Sequence, residues 1–153
     1  MLRRNRYEVI IIIVLLHKII MCKILCRKVR GYWEDRSEIF MSEAIKNLIE
    51  MYVSDIRNIY GNHLRQVILY GSYARGDFNS DSDVDIMILL DMPDTDIKKY
   101  RHELSDMTFD FNMDYDVDIK PIAKSEEHYR KWISSYPFYK NVDEEGVTLY
   151  SAA

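Results

Sequence analysis

The chain has 153 residues, of which 48% are apolar and 30% charged, and a net charge of −4. That suffices for one domain with a sizeable core and excludes a low-complexity or fibrous chain. The charge is divided: residues 1–30 hold eight Lys/Arg against one acid, and residues 31–153 hold 13 against 24, giving +7 and −11. An acidic body argues against broad nucleic-acid binding through the phosphate backbone and suits a basic protein partner. The only cysteines, Cys22 and Cys26, both fall in the basic segment. They build no disulfide framework for the body, which fits a reducing, cytoplasmic compartment.

In chain order, Arg3, Arg4 and Arg6 precede Val9–Leu16, an unbroken apolar run that His17, Lys18 and Lys23 then interrupt. The run is shorter than the ~20 apolar residues of a membrane helix. It has the charged and apolar parts of a signal peptide but no Ala-x-Ala-like cleavage site. Membrane association through residues 9–26 would bury lysines and is the less favoured reading. Cys22, Cys26 and His17 make a thin metal-like spacing that lacks a fourth ligand. Residues 1–40 are therefore expected to be a leader or N-terminal extension outside the fold, with the domain spanning 41–150.

Ser42 is placed to cap a helix, with Glu43 in its first turn. Ile45, Leu48, Ile49, Tyr52, Ile56 and Ile59 recur at helical spacing until Gly61 stops the run. Val67-Ile68-Leu69-Tyr70 reads as a buried strand, and Gly71 turns the chain sharply. Ser72 is expected to cap a short helix that Gly76 ends. Unpaired backbone N–H groups and a hydroxyl at such a turn suit a phosphate. Val84–Leu90 is a second strand. Asp83 and Asp85 stand at its start with their carboxylates on one face, their Cα atoms ~7 Å apart from the rise per residue. Both could reach one divalent ion, and oxygen-only ligands favour magnesium or manganese.

Pro93-Asp94-Thr95-Asp96 is a helix start, followed by Ile97, Tyr100, Leu104, Met107 and Phe111 along one face. Period-two alternation over Tyr115–Lys120 predicts a third strand ended by Pro121. It puts Tyr115, Val117 and Ile119 on one side, and Asp116, Asp118 and Lys120 on the other. Ser125 begins another helix, with Tyr129, Trp132 and Ile133 buried, and Pro137 breaks it. Asn141-Val142 and Gly146–Tyr150 read as a turn and a last strand. His63, His102 and His128 are expected at the surface, with Tyr136, Phe138 and Tyr139 packing at the sheet edge. The alternation of elements predicts an α/β (α+β) sandwich with one small mixed sheet packed against helices.

Gly71-Ser72-x-Ala74-Arg75-Gly76 followed by Ser82-Asp83-x-Asp85 resembles the signature of the minimal nucleotidyltransferase family, within the polymerase-beta-like superfamily. The likeness covers most of Met41 to Tyr150 and implies that superfamily's fold. It implies that Gly71 and Ser72 hold the triphosphate tail of a nucleotide and that Asp83 and Asp85 bind magnesium. It further expects an acid between apolar residues on the third strand, for which Asp118 is favoured over Asp116. Arg75 either contacts phosphate or braces the loop through Asp77 or Asp81. Ser82 joins the candidate nucleotide-binding set, more as a turn cap than as a substrate contact. Taken singly, a Gly-Ser turn, two strand-edge acids and a strand aspartate are ordinary surface features. Their joint order is what points to a site.

Small stand-alone members of the resembled family are often paired with a HEPN-type ribonuclease toxin, which they adenylylate on a tyrosine. The small size, the acidic balance and the lack of a recognisable second substrate domain fit that pairing. The implied reaction moves AMP from ATP onto a hydroxyl with Mg2+ or Mn2+. The alternative is a binding module that neutralises a basic protein partner by contact alone. A tRNA or other nucleic-acid acceptor is disfavoured by the charge.

Overall fold

The computed structural model describes residues 43–152. The expected N-terminal leader, the apolar run of residues 9–16, the Cys22–Cys26–His17 spacing and the expected Ser42 cap lie outside the described residues.

Helix α1 (Glu43–Tyr60) buries Ile49, Tyr52, Val53, Ile56 and Tyr60 at three- and four-residue intervals, as its periodicity predicts. Gly61, at φ 52°, ends it through a single 3-10 turn. Strand β1 (Leu64–Tyr70) begins three residues earlier than its apolar run, because Leu64 and Gln66 also pair with β2, with an irregularity in register at Arg65 between them. A short helix α2 (Gly71–Arg75) follows, closed by Gly76 in the left-handed region at φ 81°. Its N-cap is Tyr70 with no side-chain cap, so Ser72 lies within the first turn rather than capping it. Strand β2 (Val84–Leu90) spans the expected run.

The helix expected from Pro93 is broken. A single turn α3 (Asp94–Ile97) leads through a 3-10 turn into α4 (Arg101–Tyr115), which buries Leu104, Thr108 and Phe111. Helix α4 overruns the predicted start of the third strand, and Tyr115 packs on Phe111 one turn back, their ring centroids 4.6 Å apart. Asp116, at φ 52°, then terminates the helix in the left-handed conformation that Asp tolerates. Strand β3 is therefore Ile119–Ser125, and Pro121 sits inside it rather than after it. The correction has a physical basis: β3 is an edge strand, where a residue without an N–H costs no ladder bond.

Ser125 caps α5 (Glu126–Trp132), its hydroxyl accepting the His128 N–H at 3.4 Å. That helix stops at Trp132, before Pro137, and Pro137 instead opens a further helix, α6 (Pro137–Glu145), where a turn was expected. At the first helical position a proline gives up a hydrogen bond that the helix would not make. Tyr139 and Val142 are the buried side of α6, and β4 (Val147–Ser151) closes the fold.

The sheet has the order β3-β2-β1-β4. Strand β1 pairs antiparallel with β2 and β4, while β2 and β3 are parallel, so the sheet is mixed. Ile68, Met87 and Leu89 pack with Tyr129, Tyr139 and Val142, which places α5 and α6 on one face. Alternation turns Val67, Leu69, Ile86 and Ile88, all fully buried, to the face that α1 and α4 cover. There Tyr52 meets Phe111 edge-on at 5.1 Å. The Thr108 hydroxyl donates to the Leu104 carbonyl at 2.7 Å, leaving its oxygen to accept from Tyr52, also at 2.7 Å. Among the described residues, no helix is long and apolar enough to cross a membrane.

Candidate active site

The register decides which acids meet. Tyr70 pairs with Asp85 across the antiparallel β1–β2 ladder, and Asp85 pairs with Lys120 across the parallel β2–β3 ladder. Directly opposed residues share a face, so Tyr70, Asp85 and Lys120 point to the side that carries α5 and α6. The Val84 N–H donates to the Asp118 carbonyl at 2.8 Å, extending the parallel pairing back one step and setting Asp83 beside Asp118.

The turn and the acids occupy one corner. Gly71 has φ 72°, and a Cβ added there would stand 2.3 Å from Asp85 Oδ2. The carboxylate of Asp85 fills the space that a side chain at residue 71 would need. Lys120 bridges the other two acids, its ammonium 2.6 Å from Asp83 Oδ2 and 3.4 Å from Asp118 Oδ2. The structure thus brings Gly71, Asp83, Asp85 and Asp118 together, with Ser72 next to Gly71 on α2. Asp116, the rival for the third acid, forms the left-handed end of α4.

The electrostatics follow from these contacts. The Lys120 ammonium holds the Asp83 carboxyl below its usual value, and Asp83 in turn raises Lys120. Burial pushes Asp85 upward and the Asp83 charge adds to it, while Lys120 and Arg75 pull in the opposite direction. Burial, and then the Asp85 charge, raise Tyr70 to about 12, so its phenol stays neutral near neutral pH.

Two predicted nucleotide contacts are engaged within the protein. The Arg75 guanidinium lies 3.3 Å from Asp77 Oδ2 and 3.6 Å from Glu145 Oε2, tying α2 to its loop and to α6. Ser82 caps a turn: its hydroxyl accepts the Asn79 N–H at 2.9 Å, and the Asn79 side chain accepts the Asp81 N–H at 2.8 Å. These contacts are those of the bracing alternative for Arg75 and the turn-cap alternative for Ser82.

The residue types suit a hard cation. All the candidate ligands are carboxylate oxygens, and an ammonium already rests between two of them. Among the described residues, no three acidic, His or Cys side chains are gathered tightly enough to enclose a metal ion as they stand. The set is open around Lys120.

One contributor to the site left no signal in the residue pattern. Asn112, near the end of α4, donates its amide to the Ile119 carbonyl at 3.2 Å and accepts the Ile119 N–H at 3.0 Å. This two-way clasp pins the first residue of β3 and so fixes Asp118 immediately before it. Lys120 was legible as a neighbour of Asp118 on one strand face, but its bridging to Asp83 depends on the parallel pairing.

A family model described as a nucleotidyltransferase domain matches residues 49–139, more than half of the chain. Two proteins of Methanocaldococcus jannaschii, each provisionally named a protein adenylyltransferase, are similar in sequence. One is 37% identical over 102 residues, covering 67% of this chain and 94% of the relative. The other is 36% identical over 106 residues, covering 69% and 98%. A solved structure from Sulfolobus solfataricus, provisionally titled a nucleotidyltransferase, shares the fold with a TM-score of 0.50 at 17% identity, over 77% of this chain and 92% of that one. The mixed sheet flanked by helices is the nucleotidyltransferase fold, and this chain belongs to the nucleotidyltransferase-domain family.

Proposed function

We propose that residues 41–150 form a metal-dependent nucleotidyltransferase domain that moves AMP from ATP onto a hydroxyl of a protein partner, releasing pyrophosphate. The observation that carries the proposal is the Asp85 carboxylate seated in the space left by Gly71, because it joins the phosphate-type turn to the acidic set in one corner. The protein acceptor is supported by the names of the two similar Methanocaldococcus proteins. A tyrosine of a HEPN-type toxin is the acceptor that the sequence resemblance favours. A reducing, cytoplasmic setting fits this chemistry.

Gly71 and Ser72 hold the triphosphate tail through backbone N–H groups and the Ser72 hydroxyl. Arg75 and Ser82 keep that loop in shape through Asp77, Glu145 and Asn79. Asp83, Asp85 and Asp118 are the residues that would hold Mg2+ or Mn2+, which when bound neutralises charge on the phosphates. The acceptor oxygen bonds to the α-phosphorus while the bond from that phosphorus to the bridging oxygen of pyrophosphate breaks. Asp118, the more exposed acid at the start of β3, takes the acceptor's proton.

The test uses the full chain, α-labelled ATP, Mg2+ and the product of the neighbouring gene. Label transfer to that protein, lost in Asp83→Asn and Asp85→Asn, supports the reading. Full neutralisation of the partner by both variants would instead establish inhibition by contact.

A further inference from the structure

Lys120 puts a positive charge inside the acidic set, and the transfer reaction described above gives it no task. Its place is built by the fold. It stands opposite Asp85 in the parallel register, on an edge strand, and its ammonium reaches Asp83 at 2.6 Å and Asp118 at 3.4 Å. Three carboxylates in one corner repel one another, and an ammonium between two of them relieves that repulsion.

The contact is also easily exchanged. The Lys120 side chain is 53% exposed and that of Asp83 38%, and ion pairs so open to water are weak. A divalent ion arriving alone meets an ammonium already placed among its ligands, and the two repel. A nucleotide arriving beside Gly71 brings phosphate oxygens that can take the ammonium over and free the carboxylates.

We infer that Lys120 is a resident counter-cation that makes divalent-metal entry contingent on nucleotide. This rests on the assignment of Asp83, Asp85 and Asp118 as the metal-holding set. Lys120 is a positioning residue: it keeps Asp83 and Asp118 close in the metal-free protein and yields them when phosphates arrive. By reciprocity, metal and nucleotide each tighten the binding of the other, and part of that coupling runs through this one side chain.

The experiment titrates Mn2+ against the full chain, with free Mn2+ read by electron paramagnetic resonance, with and without a non-hydrolysable ATP analogue. Lys120→Met is expected to bind Mn2+ alone about three- to tenfold more tightly than the parent protein, as removal of one nearby exposed positive charge implies. The tightening caused by the nucleotide should shrink by a similar factor. Lys120→Arg, which keeps the charge, should stay near the parent, and Lys120→Gln repeats the charge loss should Lys120→Met fold poorly. Equal or weaker Mn2+ binding in the neutral variants overturns the inference. Asp85→Asn separates the two levels. If it binds Mn2+ as the parent does, the metal-holding assignment falls and takes this inference with it. If it loses Mn2+ while the neutral Lys120 variants match the parent, only the role of Lys120 falls.

Discussion

The two faces of the sheet use the same strands for opposite ends. On the face covered by α1 and α4, Val67, Leu69, Ile86 and Ile88 are sealed from water, and the Tyr52 and Thr108 hydroxyls between the covering helices bond to each other. On the face toward α5 and α6, the ends of the same strands carry Tyr70, Asp85 and Lys120, with Asp83 and Asp118 just outside the ladders. One side is packed and electrically silent; the other is partly wet and holds opposed charges. Stability and chemistry should therefore be separable by substitution, a contrast that can be attacked from either side.

The widest separation is expected between Ile88→Ala and Asp85→Asn. The first removes buried methyls from the sealed face and should cost about 2–5 kcal/mol of stability with little change in rate per folded molecule. The second should lower transfer by about a thousandfold or more while the denaturation midpoint holds. Parallel urea titrations and rate measurements check both, and a variant that changed both quantities equally would dissolve the contrast.

The glycines give a finer cut. Gly71→Ala adds a methyl 2.3 Å from Asp85 Oδ2 at a positive φ, so stability and transfer should both fall, the latter by about a hundredfold. Gly76→Ala has the same kind of backbone but open space, and should cost about 1 kcal/mol with transfer nearly intact.

Tyrosines probe both faces through pH. Burial raises Tyr60, Tyr70 and Tyr129 to about 12 from an ordinary 10.0. The folded state then holds these protons more tightly than the unfolded chain. Stability is complete below about pH 10 and is lost as pH rises toward 12. Denaturation at pH 9 and pH 11 should differ by about 1–3 kcal/mol.

The smallest effect should come from Asn112→Ala. Losing the clasp on Ile119 should cost about 1 kcal/mol. By loosening Asp118 it should slow transfer several-fold and weaken Mn2+ binding to a similar or smaller degree.

Much of this was readable from the residues alone, for reasons that can be named. The Val84–Leu90 run and the α1 stripe have strong periods backed by burial, and the structure keeps both. The Gly71-Ser72 turn and the Asp83-x-Asp85 pair were visible because their residue types are demanded locally. The third strand was displaced because Tyr115–Lys120 alternates by chance across a helix end: Tyr115 is helical, Asp116 is left-handed, and pairing begins only at Ile119. Pro121 looks like a terminator in the sequence, because edge position is a property of the whole sheet. Pro137 looks like a breaker in the sequence, yet α5 has already stopped at Trp132 and the proline ring suits the start of α6. The bridging of Lys120 and the clasp of Asn112 depend on which strands become neighbours, which no local pattern encodes.

The parallel pairing of β2 with β3 also dictates an order of assembly. Val84 must meet Ile119 across a closed loop that contains the whole of α3 and α4. A nascent chain that has emerged only as far as α4 carries Asp83 and Asp85 but neither Asp118 nor Lys120. Such loop closures are slow relative to hairpins, so the β1–β2 hairpin can form well before the acidic corner is complete. Competence for catalysis is thus delayed until synthesis and folding have passed the third strand, a built-in lag between making this protein and having it act.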